Sequence, residues 1–158
     1  MKSLAIIAVC ITILFSSCQE GRVYDTTVDI EESKWNEQQV LTYTFTIENP
    51  ADLYDLYYAV RYTNDYPFYN LYVTHILCDS TGKEIDRKLK GMDIFWSKTG
   101  EPRGSGFAGT YDFDVLAFPK FKFPYKGRYS VKIMQYMRKN PLEGVSAFGL
   151  RIDQHLKE

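Results

Sequence analysis

Between Val40 and Ile47 the chain alternates without a break. Leu41, Tyr43, Phe45 and Ile47 fall in one phase, and Thr42, Thr44 and Thr46 in the other. Period two with threonine on the polar side predicts a strand that buries one face and wets the other. The same period returns from Leu56 to Thr63, where Leu56, Tyr58, Val60 and Tyr62 oppose Tyr57, Ala59, Arg61 and Thr63. It returns again from Arg128 to Arg138, with Tyr129, Val131, Ile133, Gln135 and Met137 against Ser130, Lys132, Met134 and Tyr136. From Tyr69 to Leu77 apolar residues occupy both phases, which predicts an interior strand or one that crosses between sheets. Glu84 to Leu89 is a charged strand suited to a sheet edge. Tyr111 to Phe118 and Phe148 to Ile152 complete the set, and Val23-Tyr24 with Val28 predicts a first edge strand.

The breaks are as informative as the runs. Asn64-Asp65-Tyr66-Pro67 separates two strands at the densest tyrosine cluster of the chain, and Pro67 biases Tyr66 away from helix. Asp79-Ser80-Thr81-Gly82-Lys83 and Asn140-Pro141-Leu142-Glu143-Gly144 have turn chemistry. Lys90 to Thr110 holds glycines 91, 100, 104, 106 and 109 and predicts a long loop with room for one short strand. Beyond the N-terminal segment no window has helical spacing. About eight or nine short strands at near-regular intervals predict an all-β domain, a single antiparallel β-sandwich of immunoglobulin-like or jelly-roll-like type.

The N-terminus is of another kind. Lys2 precedes an apolar run from Leu4 to Phe15, and Ser16-Ser17 leads into Cys18. A cationic start, a short apolar core and small residues describe a secretory signal peptide. About 12 apolar residues fall short of the roughly 20 that a membrane-spanning helix needs. Cys18 sits where a bacterial lipoprotein signal places the cysteine that becomes the lipidated first residue. The competing readings are a transmembrane anchor and an ordinary cleavage near Ser17 that leaves a free thiol. The expected organisation is a signal peptide over 1–17, a lipid-anchored tether and first edge strand over 18–32, and the β-sandwich over 33–158.

Composition narrows the function classes. Nineteen lysines and arginines face 20 acids, and Lys2 is the leader's only charge. Such a near-neutral surface argues against a nucleic-acid binder. With Cys10 removed in the leader and Cys18 taken by lipid, Cys78 is alone and no internal disulfide is possible. The aromatic content of 16% supplies a core instead, with Trp35 as one anchor.

Motifs for chemistry are weak. Gly104-Ser105-Gly106-Phe107-Ala108-Gly109 has the letters of a dinucleotide loop, but no helix follows it, so it is a flexible loop. Ser105 fails the nucleophile-elbow pattern because Arg103 stands in the place of its first glycine. His75 and His155 have no neighbouring ligand spacing, so no metal site is expected. Asp112 and Asp114 share a strand face that could serve calcium or acid–base work, or lie as ordinary solvated acids. The aromatic surplus leaves open a carbohydrate- or peptidoglycan-binding module. An enzyme would require a cleft that gathers Asp112, Asp114 and His75. Within the glycine-rich loop, Phe95, Trp96 and Phe107 are the candidate partner contacts, since large aromatics in a flexible loop either pin it or meet a partner.

Several segments together carry a family resemblance. They are Tyr58-Ala59-Val60-Arg61-Tyr62 through Tyr69-Asn70-Leu71-Tyr72, the glycine-rich loop with Trp96, and Gly127-Arg128-Tyr129 through Gln135-Tyr136-Met137-Arg138. Leu142-Glu143-Gly144-Val145 and Gly149-Leu150-Arg151-Ile152 follow. With Cys18, the chain is similar to the GldH family of gliding-motility lipoproteins. The resemblance implies an envelope lipoprotein held by its lipid, on the periplasmic side of an outer membrane. It implies a need for the protein in gliding, a link to type 9 secretion, and other envelope gliding or secretion proteins as partners. It supplies no catalytic residue and no cofactor.

Overall fold

The alternation sets the architecture. The computed structural model describes residues 21–156. The expected signal peptide over 1–17 and the expected lipidation site Cys18 lie outside the described residues. Eleven strands follow one another among the described residues: β1 (Arg22–Asp29), β2 (Lys34–Trp35), β3 (Leu41–Ile47), β4 (Tyr54–Thr63), β5 (Asn70–Cys78), β6 (Glu84–Asp93), β7 (Ser105–Phe107), β8 (Thr110–Phe121), β9 (Gly127–Gln135), β10 (Leu142–Glu143) and β11 (Val145–Gln154). A 3-10 turn at Glu31–Ser33 is the one helical element there. A five-stranded sheet has the order β1-β11-β4-β8-β7, and a four-stranded sheet the order β3-β9-β5-β6. The short pair β10-β2 forms a third sheet. Every paired strand is antiparallel.

The two larger sheets pack face to face as a β-sandwich, and the predicted phases point where the periodicity puts them. Leu41, Tyr43, Phe45 and Ile47 are buried while their threonines are exposed. Leu56, Tyr58, Val60 and Tyr62 meet Tyr129, Val131 and Ile133 in one shared core. Tyr43 ties the layers together, since its hydroxyl donates to the Phe148 carbonyl of the opposite sheet at 2.6 Å. Trp35 is fully buried, donates its indole N–H to the Gln39 carbonyl at 3.1 Å, and packs on Phe148 at 5.4 Å. Cys78 is a free, buried thiol.

The tyrosine-rich unit spans the sandwich. β4 is the middle strand of the five-stranded sheet, and residues 64–69 carry the chain across to β5, which lies between β9 and β6. Tyr66 anchors the crossing with a hydroxyl that donates to the Asn70 carbonyl at 2.7 Å. The double apolar phase of β5 has a corresponding cause. Leu71, Val73 and Leu77 face the core, while Ile76 lies in register between Lys132 and Arg87, whose aliphatic stems suit an apolar neighbour. Tyr72, in the same outward phase, stays 39% exposed.

Three stretches differ from the sequence reading. Lys90–Thr110 is less loop than expected: β6 continues to Asp93, and Ser105–Phe107 forms β7, hairpinned to β8 through Ala108-Gly109. Both turn residues have positive φ, 53° and 82°, which is the two-residue hairpin geometry that glycine favours. β8 runs through Pro119 to Phe121. Register shifts opposite Leu56 interrupt the ladder there, so the missing proline N–H leaves no bond unmade. Finally, β11 starts at Val145 rather than Phe148, because β1 and β4 flank it along its length.

Candidate functional site

The candidate chemistry does not converge. Asp112 and Asp114 point outward from β8, each met by an arginine of the same sheet. Arg61 reaches Asp112 at 2.8 Å, and Arg151 reaches Asp114 at 2.7 Å while its guanidinium lies 4.1 Å over the Tyr57 ring. These exposed pairs form a charged outer face worth about 1 kcal/mol or less each. His75 lies on the inner face of the opposite sheet, 4% exposed, with its ring 4.6 Å from Phe118. The acids and the histidine are therefore separated by the thickness of a sheet. Gly104–Gly109 and Ser105 belong to the β7 hairpin. Among the described residues no three His, Cys, Asp or Glu side chains gather as metal ligands.

His75 has a structural task. Its Nδ1 stands 2.8 Å from the Tyr58 hydroxyl, and burial pushes its imidazole down to about 4, with Asp86 and Lys90 opposing each other around it. Burial also pushes the Tyr58 phenol up, so a neutral ring accepting the phenol proton is the pairing both groups favour. The folded state thus resists protonation that the unfolded chain accepts near pH 6.5. Stability contributed by the neutral ring is complete above that value and is lost as pH falls toward 4. Urea unfolding should show a loss of about 2 kcal/mol between pH 7 and pH 5. His75→Leu should flatten that slope; an unchanged slope would assign it to other groups.

Exposed apolar side chains lie at both ends of the sandwich, Val23, Ile85, Tyr125 and Leu156 at one and Phe107, Trp96 and Tyr69 at the other. β1 begins, β11 ends, β4 begins and β8 ends at one end of the sandwich, as the pairings Arg22–Asp153, Gln154–Tyr54 and Tyr54–Phe121 require. Phe107, Trp96 and Tyr69 lie toward the opposite end, where β7, β4 and β6 turn over. Phe107, at the hairpin tip, is 90% exposed. Trp96 is 52% exposed and has the Arg103 guanidinium 4.3 Å over its ring. Phe95 is placed differently: half-buried, it meets Tyr62 at 5.1 Å and stacks on Tyr66 at 6.5 Å. The Tyr62 hydroxyl is within hydrogen-bond reach of the Ile94 and Arg103 carbonyls at 2.6 and 2.5 Å, which fastens the segment from both sides. Phe95 therefore backs this surface, while Trp96 and Phe107 form it.

Sequence reasoning missed a second part of the surface. A groove of about 330 Å³ on the outer face of the four-stranded sheet is lined by Phe68, Tyr72, Leu89, Tyr136 and Met137, with Asn70 and Arg138 as its polar members. Tyr136 is 65% exposed and Leu89 55%. The Tyr136 N–H donates to the Tyr72 carbonyl at 2.8 Å, and the Tyr72 ring lies where a side chain on Gly91 would stand, 2.5 Å from an added Cβ. The signal was present: Tyr136, just past the end of β9, is an aromatic in that strand's polar phase, and Leu89 intrudes among the charges of β6.

Comparison with known proteins places the chain in a family. A model of the family described as GldH lipoprotein matches residues 22–152. The chain is 33% identical over 149 residues to the gliding motility lipoprotein GldH homolog of Christiangramia forsetii, covering 90% of each. It is 29% identical over 150 residues to gliding motility lipoprotein GldH of Flavobacterium johnsoniae, covering 90% of this chain and 91% of that one. Among solved structures, the VP2 subviral particle of infectious bursal disease virus matches at TM-score 0.44 and 15% identity, over 85% of this chain and 32% of that one. A likeness that loose carries no argument.

Proposed function

The chain belongs to the GldH lipoprotein family, and on that premise we propose that it is an envelope lipoprotein which works by contact and not by catalysis. Cys18 carries the lipid and holds the domain on the periplasmic side of the outer membrane. The end with Phe107, Trp96 and the Tyr72–Tyr136 groove meets other proteins of the gliding and type 9 secretion machinery. The observation that supports this most is the 90% exposure of Phe107 at the tip of a paired hairpin. A phenyl ring held in water by an ordered turn gains by burial against a partner, and fully burying such a ring is worth about 1.5–3 kcal/mol. The groove favours a protein ligand over a glycan. Phe68, Leu89 and Met137 give it apolar surface for a partner's side chains, with Asn70 and Arg138 as polar members.

Phe107→Ser, introduced into a cell that depends on this protein, tests the reading. Phe107 buries almost nothing in the isolated domain, so protein abundance should stay at the wild-type level while colony spreading or secretion falls. Normal spreading at normal abundance would remove the hairpin from the contact surface. Loss of the protein itself would show that Phe107 serves folding.

A further inference from the structure

Resting on the anchor at Cys18, the geometry points to a second surface: Lys120, Lys122, Lys126 and Arg128 form a dock for the anionic phospholipid headgroups of the membrane that holds the lipid. The first support is reach. Cys18 and Arg22 are four residues apart, so a chain at full stretch leaves β1 no more than about 14 Å from the lipidated residue. β1 begins at the end of the sandwich where β8 finishes and β9 starts, as the pairings Arg22–Asp153, Tyr54–Phe121 and Ile47–Gly127 fix. The segment joining β8 to β9 is therefore held at the membrane. Strands of ten residues run about 33 Å, so the Phe107 end stands well clear of it.

The second support is charge. Lys120, Lys122, Lys126 and Arg128 are all exposed on this segment, around an exposed Pro124-Tyr125. Among the described residues Lys120, Lys122 and Arg128 enter no ion pair, and Lys126 meets only Glu48, at 2.7 Å, with both partners exposed. Acids of the same end are already engaged, with Glu48 and Glu84 exposed in pairs with Lys126 and Arg87. Asp55 accepts the Lys120 N–H at 2.8 Å and pairs with His155 at 2.7 Å. Asp52 takes the side-chain amides of Asn49 and Gln154, and Asp79 caps its own turn through Thr81 and Lys83. From Pro119 to Arg128 the segment itself holds four cations and no acid, with a tyrosine suited to the headgroup layer. A tethered domain pays little entropy to use such weak contacts, because the lipid already supplies a high effective concentration.

Fluorescence transfer to a headgroup acceptor tests the dock on the lipid-bearing full chain in vesicles with or without phosphatidylglycerol. Ala51→Cys places a donor at the β1 end, and Ser105→Cys places one at the hairpin end. Cys78 is 2% exposed and will not compete for label. Mass spectrometry first checks the acyl groups on Cys18. Transfer from position 51 should exceed that from 105, rise with phosphatidylglycerol and fall with added salt. Each of Lys120→Gln and Lys122→Gln should lower the docked population about fivefold, and Lys122→Arg should restore it. Equal transfer at both positions, or no response to anionic lipid, salt and the lysines, overturns the dock while leaving the anchor standing. A chain without acyl mass on Cys18 overturns the anchor, and the dock with it.

Discussion

Tyr58→Ala is expected to remove most of the domain's stability. The side chain is 1% exposed on the central strand of the five-stranded sheet. It packs on Phe148 at 5.1 Å and edge-on against Phe118 at 6.4 Å, so the substitution empties the middle of the core. Large-to-small changes of a buried aromatic cost about 3–5 kcal/mol. His75 then loses the phenol on its Nδ1, and a buried polar atom left unpaired adds about 1–3 kcal/mol. Whole domains are held by only about 5–15 kcal/mol, so the variant should be largely unfolded at growth temperature. Tyr58→Phe keeps the rings and removes only the hydroxyl, and should show the smaller second loss alone. Thr44→Ala, on the exposed phase of β3, should stay within about 0.5 kcal/mol of wild type. Urea midpoints decide it, and coincident midpoints for Tyr58→Ala and Thr44→Ala would refute the assignment of faces.

Local pattern carried the reading of the sandwich well. β3, β4 and β9 are legible because each has one buried and one wet face, so burial is written as period two. The edge position of β1 and β6 was equally readable, from sparse apolar residues and dense charge. What the pattern could not convey was pairing. Ala108-Gly109 makes a two-residue hairpin, but its signal is weaker than Asn-Gly, so β7 was hidden in the glycine-rich loop. The strand read from Tyr111 stops short at Phe118 because a proline ends a regular ladder, and only the register shifts opposite Leu56 show why β8 continues through Pro119. The same holds for the surface. Phe107 flanked by Gly106 and Ala108 had little beside it to bury against, and its exposure followed from that. Phe95 and Trp96 are neighbours with opposite surroundings, which a sequence cannot separate: Tyr62 and Tyr66 come from another strand and the crossing segment. The groove was missed for a related reason. Tyr72, Leu89 and Tyr136 are far apart in the chain and meet only through β5–β6 pairing and the Tyr136–Tyr72 hydrogen bond.

Cys18→Ala is expected to free the protein from membranes. No helix among the described residues is long and apolar enough to cross a bilayer, and the strongly apolar stretch Leu4 to Phe15 falls in the expected leader. Acyl chains on Cys18 would contribute about 0.8 kcal/mol per buried CH₂, and two or more chains anchor stably where one does not. The basic end of the sandwich cannot replace them, because each cation near an anionic surface adds only about 1 kcal/mol and salt screens it. The loss should therefore be nearly complete, and the released domain should fold, since Cys18 precedes β1 and the core residues all follow it. Spreading or secretion should fall with it even at full abundance, because Phe107 and Trp96 would no longer be held at their working height above the membrane. The most direct measurement is fractionation after metabolic labelling with a fatty acid. The account predicts label on wild type, no label on Cys18→Ala, and a shift of the variant into the soluble fraction. A wild-type protein without label, and equal membrane retention of the two, would contradict it.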